Sequence, residues 1–180
     1  CKELADFIRA CTEVKPITAV INFAAYSAAY FLAAACSKIV CSPTGGVGSI
    51  GVIMETVEVS KWEEEVGVKY NTFYRGAHKN DCSVHEPISD QAANEINGKL
   101  DHAYETFTES VASYLNLPVQ SIIDTDARLF TAPDALSLGL IHEIKSAQEA
   151  INEIAQKYIQ PATQNSIGIR AAAINQQTQL

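Results

Sequence analysis

Two side chains stand out as a possible reaction centre. Ser27 sits in the run Ala24-Ala25-Tyr26-Ser27-Ala28-Ala29-Tyr30, and Lys79 closes the run Arg75-Gly76-Ala77-His78-Lys79. A hydroxyl lifted to a helix N-terminus by a bend of small residues faces first-turn amides and the positive end of the helix dipole, which favour a developing oxyanion. The alanines beside it leave room for a substrate backbone. The ordinary alternative is a Ser N-cap. A lysine serves as general base when desolvation and a hydrogen bond to the nucleophile bring its pKa from about 10.4 toward 7–8; otherwise Lys79 is a solvated loop charge. If the two meet, the chemistry is serine acyl transfer with an amine base, which calls for no metal and no cofactor.

Other groups compete or assist. Thr44-Gly45-Gly46-Val47-Gly48-Ser49-Ile50-Gly51 contains neither GKS/GKT nor GxGxxG, so a phosphate cradle is weakly supported. The same loop could pass close to a ligand, with Ser49 orienting a nearby amine. A Ser-His-Asp triad would need a histidine near Ser27, and His78, beside Lys79, is the candidate. His85, His102 and His142 are isolated, and Asp81, Asp124 and Asp126 read as turn and cap residues.

Elements that could position these groups follow from hydrophobic periodicity. Leu4, Phe7, Ile8 and Cys11 predict an amphipathic helix over residues 2–12, ended before Pro16. Short buried strands are expected at 17–22 and 38–41, with a helix between them over 27–36. Longer strands are expected at 50–57 and 68–75, separated by a short helix from Ser60 to Glu65 that Gly67 stops. A polar loop over 80–89 precedes a long helix, Asp90 to about Leu115, with Ser89 as N-cap. A short helix over 119–125, a strand over 128–131, a helix over 133–138, an extended stretch over 140–144 and a last helix over 147–158 complete the pattern. Apolar strands alternating with helices predict an α/β domain with a mostly parallel sheet covered on both faces. The domain is expected to occupy residues 1–158, and residues 159–180 a polar tail, mobile or used in assembly.

Composition narrows the function. The 180 residues suit one domain. A net charge of −8 with scattered Lys and Arg argues against nucleic acid as a partner. The most apolar stretch, residues 17–36, is broken by Asn22 and Ser27 and does not give the ~20 apolar residues of a membrane span. The five cysteines lack CxxC spacing, so they read as reduced thiols in a cytosolic compartment and not as a zinc site. The chain starts without Met, in what reads as mid-helix, and so is expected to be a fragment or processed product.

Three of these motifs together resemble the signal peptide peptidase (S49) family of serine peptidases: Tyr26-Ser27-Ala28-Ala29-Tyr30, Thr44 through Val52, and Gly76-Ala77-His78-Lys79. Their order agrees, with Ser49 22 and Lys79 52 positions beyond Ser27. The segment from Arg128 through Ala135 to Gly139-Leu140 also resembles the family's C-terminal strand–helix–strand, so the likeness covers roughly residues 3–155. The resemblance implies a ClpP/crotonase-like fold, a homo-oligomer and a polypeptide substrate. It also implies roles: Ser27 nucleophile, Lys79 base, Ser49 holding the lysine, and Ala28 amide, Gly48 and His78 in support. Ser27-Ala28-Ala29 in place of the Ser-Gly-Gly of cellular members resembles the phage and prophage head-maturation branch, which trims capsid and scaffold proteins. The alternatives are a cytosolic or envelope peptidase clearing signal peptides, a catalytically impaired assembly subunit, and acyl-CoA chemistry on the same fold, for which no basic CoA-binding cluster is evident. One departure stands out. The family takes an oxyanion-hole donor from a glycine-rich loop before the nucleophile, whereas the first glycine here is Gly45. The fold's N-terminal strands are accordingly expected to be missing.

Overall fold

Short apolar stretches separated by turns of small residues build two small sheets. The computed structural model describes residues 1–158; the polar tail expected over 159–180 lies outside the described residues. Helix α1 (Lys2–Thr12) leads into β1 (Thr18–Ile21), β2 (Ala24–Tyr26), α2 (Ala28–Ala34), β3 (Lys38–Cys41) and β4 (Gly46–Gly48). Next come α3 (Ser60–Glu65), the long α4 (Asp90–Leu115), α5 (Val119–Ile123), β5 (Leu129–Thr131), α6 (Ala132–Ser137), β6 (Glu143–Ile144) and α7 (Ala147–Tyr158). β1, β3 and β6 form a parallel sheet in the order β1-β3-β6. β2, β4 and β5 form the second, with β2 and β4 parallel and β5 antiparallel to β4.

The core lies where α2 is pressed between the sheets and α4. Tyr30 is fully buried, and its hydroxyl donates to the Leu140 carbonyl at 2.7 Å. That bond ties α2 to the chain entering β6, and burial pushes the phenol far above its ordinary range. Phe31 stacks on Phe107 of α4 with centroids 4.7 Å apart and leans on Tyr114. Cys36 and Cys41 are buried, and desolvation raises both thiols, so they behave as small apolar groups.

Two expectations need correction. Residues 50–57 and 68–75 are not strands; they run without regular structure and largely exposed, with Ile53, Val57 and Phe73 open to solvent. Their β-branched and aromatic content suits a sheet, but a strand exists only where a partner supplies the ladder, and among the described residues neither stretch has one. Conversely, β2 and β4 fall where a bend and a loop were expected. Ala24-Ala25-Tyr26 pairs with Gly46-Val47-Gly48, residue against residue. Gly46 and Gly48 suit that close pairing: a Cβ on Gly46 would overlap the Tyr26 side chain, and one on Gly48 the Arg128 carbonyl.

Candidate active site

β2 and α2 deliver Ser27 through a single strained residue. Tyr26 ends the strand, Ala28 begins the helix, and Ser27 between them takes φ 51°, ψ −122°. An L-residue reaches that backbone region only under constraint, at a cost on the order of 1–3 kcal/mol. The constraint is visible in two bonds: the Ser27 amide donates to the Gly48 carbonyl at 2.9 Å, and its carbonyl accepts from Phe31 N–H at 3.0 Å. The Ser27 side chain makes no cap bond to α2, so the ordinary N-cap role is not the one it plays. Ala28 and Ala29 beside it are exposed.

Ser49 reaches the same place from β4. Gly48 has φ 120° and Ser49 φ 54°, so the chain turns sharply as it leaves the strand. The Ser49 amide is held by the Arg128 carbonyl at 3.0 Å, and its own carbonyl accepts from Gly51 at 2.9 Å. Ser27 and Ser49 line one cavity of about 540 Å³, together with Gly51, Val52 and Asp126 and one face of α4. That face is Asn97, Leu100, Asp101 and Tyr104, residues not singled out from the sequence. Their i, i+3, i+4, i+7 spacing on a long helix is the signal that places them together. A second cavity of about 420 Å³ touches Ser27 and Ala28 from the other side and is lined by Phe31, Phe107, Ala103 and Thr106. Gly51 and Val52 border both, so Ser27 stands between a recess of mixed lining and a more strongly apolar one.

Lys79 is not among the residues lining either cavity. It is exposed, and among the described residues its amine has no hydrogen-bond or ion-pair partner. Its turn is nonetheless tethered. His78 Nδ1 bonds the Asp81 carboxylate at 2.8 Å, and its Nε2 meets Gln91 of α4 at 3.1 Å. Both ring nitrogens of His78 are thus engaged within the lysine turn and with α4, and His78 lines neither cavity at Ser27. The structure therefore brings Ser27, Ala28, Gly48 and Ser49 together and leaves Lys79 outside.

The sequence matches a known family. The model of peptidase family S49 matches residues 9–160, and the chain belongs to that family. It is 34% identical over 153 residues to the head-tail preconnector protein GP5 of Enterobacteria phage P21, which covers 85% of this chain and 30% of that protein. It is 30% identical over 149 residues to the capsid assembly protease C of Escherichia phage lambda, covering 83% of this chain and 34% of that one. The chain thus spans about a third of the length of these two relatives. Among solved structures, a membrane-bound stomatin-specific protease superposes with a TM-score of 0.51 at 15% identity, over 86% of this chain and 59% of the other. That likeness speaks for the fold alone, which is ClpP/crotonase-like. Among the described residues no helix is long and apolar enough to cross a membrane.

Proposed function

We propose that this chain is the catalytic part of a serine endopeptidase with a Ser27–Lys79 dyad, acting on capsid or scaffold polypeptides of a phage or prophage in the host cytosol. The observation that carries the reading is Ser27 itself: a half-buried hydroxyl held at φ 51° between strand and helix, uncapped, and sharing a cavity with Ser49. A strained turn presenting an unused hydroxyl is a costly arrangement for a merely structural serine. Likeness to two phage head proteins supports the substrate class.

In the proposed reaction, Lys79 as a free amine takes the Ser27 proton while Oγ attacks a peptide carbonyl. The tetrahedral oxyanion is held by the Ala28 amide at the start of α2. The ammonium, oriented by Ser49 Oγ, then protonates the leaving amine as the C–N bond breaks. Water, deprotonated by the same amine, releases the acyl group. The reaction requires Lys79 to come over Ser27. Its segment, residues 66–88, and residues 51–57 are largely exposed and carry apolar side chains that assembly would cover, so a homo-oligomer belongs to the proposal.

The test is hydrolysis of fluorescein-labelled casein, with a fluorophosphonate probe for Ser27. Ser27→Ala and Lys79→Ala should each abolish cleavage, and Ser49→Ala should reduce it about 10–100-fold. Full activity in Lys79→Ala with loss in His78→Ala would replace the dyad by a triad. A folded chain that neither cleaves casein nor labels at Ser27 would favour an assembly subunit.

A further inference from the structure

Residues 51–91 form a long excursion from the core, and Glu63 is the one buried residue in it. No apolar side chain of this stretch is buried, so hydrophobic burial cannot be what gives it a shape. What is present is polar. Glu63 accepts from His85 Nδ1 at 2.7 Å. The His85 ring lies flat on Tyr70, centroids 3.7 Å apart and planes 17° from parallel. Beside this cluster the Val59 amide donates to the Val84 carbonyl at 2.8 Å, and the Val68 amide to the Glu63 carbonyl at 2.8 Å. The contacts join residues 59–63, 68–70 and 84–85, closing the neck of a loop whose far end is the Gly76–Lys79 turn.

We propose that Glu63, His85 and Tyr70 form a clasp that positions Lys79, with His85 as a positioning residue for the peptidase reaction, although it lines neither cavity at Ser27. The inference rests on the Ser27–Lys79 reading. A buried carboxylate is retained only with a partner that compensates its lost hydration. Removing His85 leaves Glu63 uncompensated, so the neck opens and lets water in. The contacts of His78 with Asp81 and Gln91 are then what still restrain the lysine turn, so Lys79 samples more placements, and misplacement of a reacting group by even ~1 Å costs up to about 100-fold in rate. Substrate binding in the two cavities at Ser27 does not involve the clasp, so the loss falls on kcat and not on KM.

The experiment uses the full chain and its His85→Ala, His85→Asn and Glu63→Gln variants. Hydrogen–deuterium exchange is followed over residues 59–88 and over α2, β3 and the C-terminal half of α4, and kcat and KM are measured on fluorescein-labelled casein. For His85→Ala the expectation is faster exchange confined to 59–88, kcat reduced roughly 10–100-fold and KM within about twofold. His85→Asn, whose amide can still donate to Glu63, should recover part of kcat. Glu63→Gln, which keeps size and an acceptor, should show the milder form of the same defect, and it serves if His85→Ala does not fold. Unchanged exchange over 59–88, or faster exchange with wild-type kcat, overturns the clasp as a positioning device. Loss of activity through KM, or through loosening of α2 and β3 as well, assigns His85 a structural role and also overturns it. Wild-type activity in Lys79→Ala, or a wild-type chain inert toward casein and the fluorophosphonate, refutes the dyad, and the positioning role falls with it. An inactive Lys79→Ala beside a fully active His85→Ala refutes the clasp alone.

Discussion

At the scale of single residues, the backbone at Ser27 and Gly48 shows where geometry outweighs stability. Ser27→Gly removes the Cβ from a φ of 51°, and relief of that strain exceeds the extra entropy glycine loses on folding. The variant is expected to unfold at higher urea concentration, by about 1 kcal/mol, with no peptidase activity. Gly48→Ala should do the reverse. Its φ of 120° and the nearby Arg128 carbonyl leave no place for a methyl group, and a loss of about 2 kcal/mol in the same unfolding measurement is expected. Ser27 and Ser49, which line one cavity, stood out in the sequence because small-residue and glycine runs frame them, whereas Lys79, framed in the same way, lines neither cavity. The asparagine, aspartate and tyrosine on α4 that wall the cavity did not stand out, since polar residues on a long helix look alike until something packs opposite them.

At the scale of elements, α4 carries both stability and the cavity wall. Ser89 Oγ accepts from the Ala92 amide at 3.1 Å, so Ser89→Ala should cost about 1 kcal/mol in thermal or urea unfolding. Phe107→Ala removes the face on which Phe31 stacks and should cost about 3–5 kcal/mol, with α2 and the Ser27 turn loosened together. Helices were read well from the sequence: α1, α3, α4 and α7 fall at the expected residues because capping and 3.6-residue periodicity are local. Strands divided by cause. β3 announces itself as a short apolar run. β2 and β4, three residues each of Ala, Tyr, Gly and Val, have no pattern of their own and exist because each supplies the other's ladder. Residues 50–57 and 68–75 have the composition without the partner.

For the whole molecule, acid should act in two stages. His142 Nδ1 accepts from the Ile39 amide at 3.0 Å, and desolvation, with Lys38 nearby, holds its pKa below the ordinary 6.5. The unfolded chain therefore takes the proton first, so this contribution is complete above about pH 6.5 and declines as pH falls below it. The ring is partly exposed, which keeps the effect small. Glu143, bonded to Lys38 and then Lys145, and Glu153, bonded to Lys145, are held below the usual 4.5, and their stabilisation disappears as pH falls through those lowered values. Thermal midpoints measured from pH 8 to 3 should show both declines, and His142→Asn, which retains an acceptor for Ile39, should remove the first. The exposed apolar residues of the 51–75 stretch belong to this scale too. Sedimentation of the wild-type chain is expected to show a homo-oligomer, and Phe73→Asp, at a residue 90% exposed in the single copy, should shift it toward monomer.

The sequence by itself determined the helices, the α/β class and the three motifs in register that mark an S49 peptidase, because each is written in residues close along the chain or at fixed separations. Tertiary structure alone decided that alanines and glycines would pair as β2 and β4 and twist Ser27 out of the helix. It also put Ser49 on the same cavity and left two apolar stretches without a ladder. Those outcomes depend on contacts between residues far apart in the chain, and no local pattern encodes which partner is present. The position of Lys79 is of the same kind: its motif is plain in the chain, while its turn is fixed by the contacts of His78 with Asp81 and with Gln91 of α4.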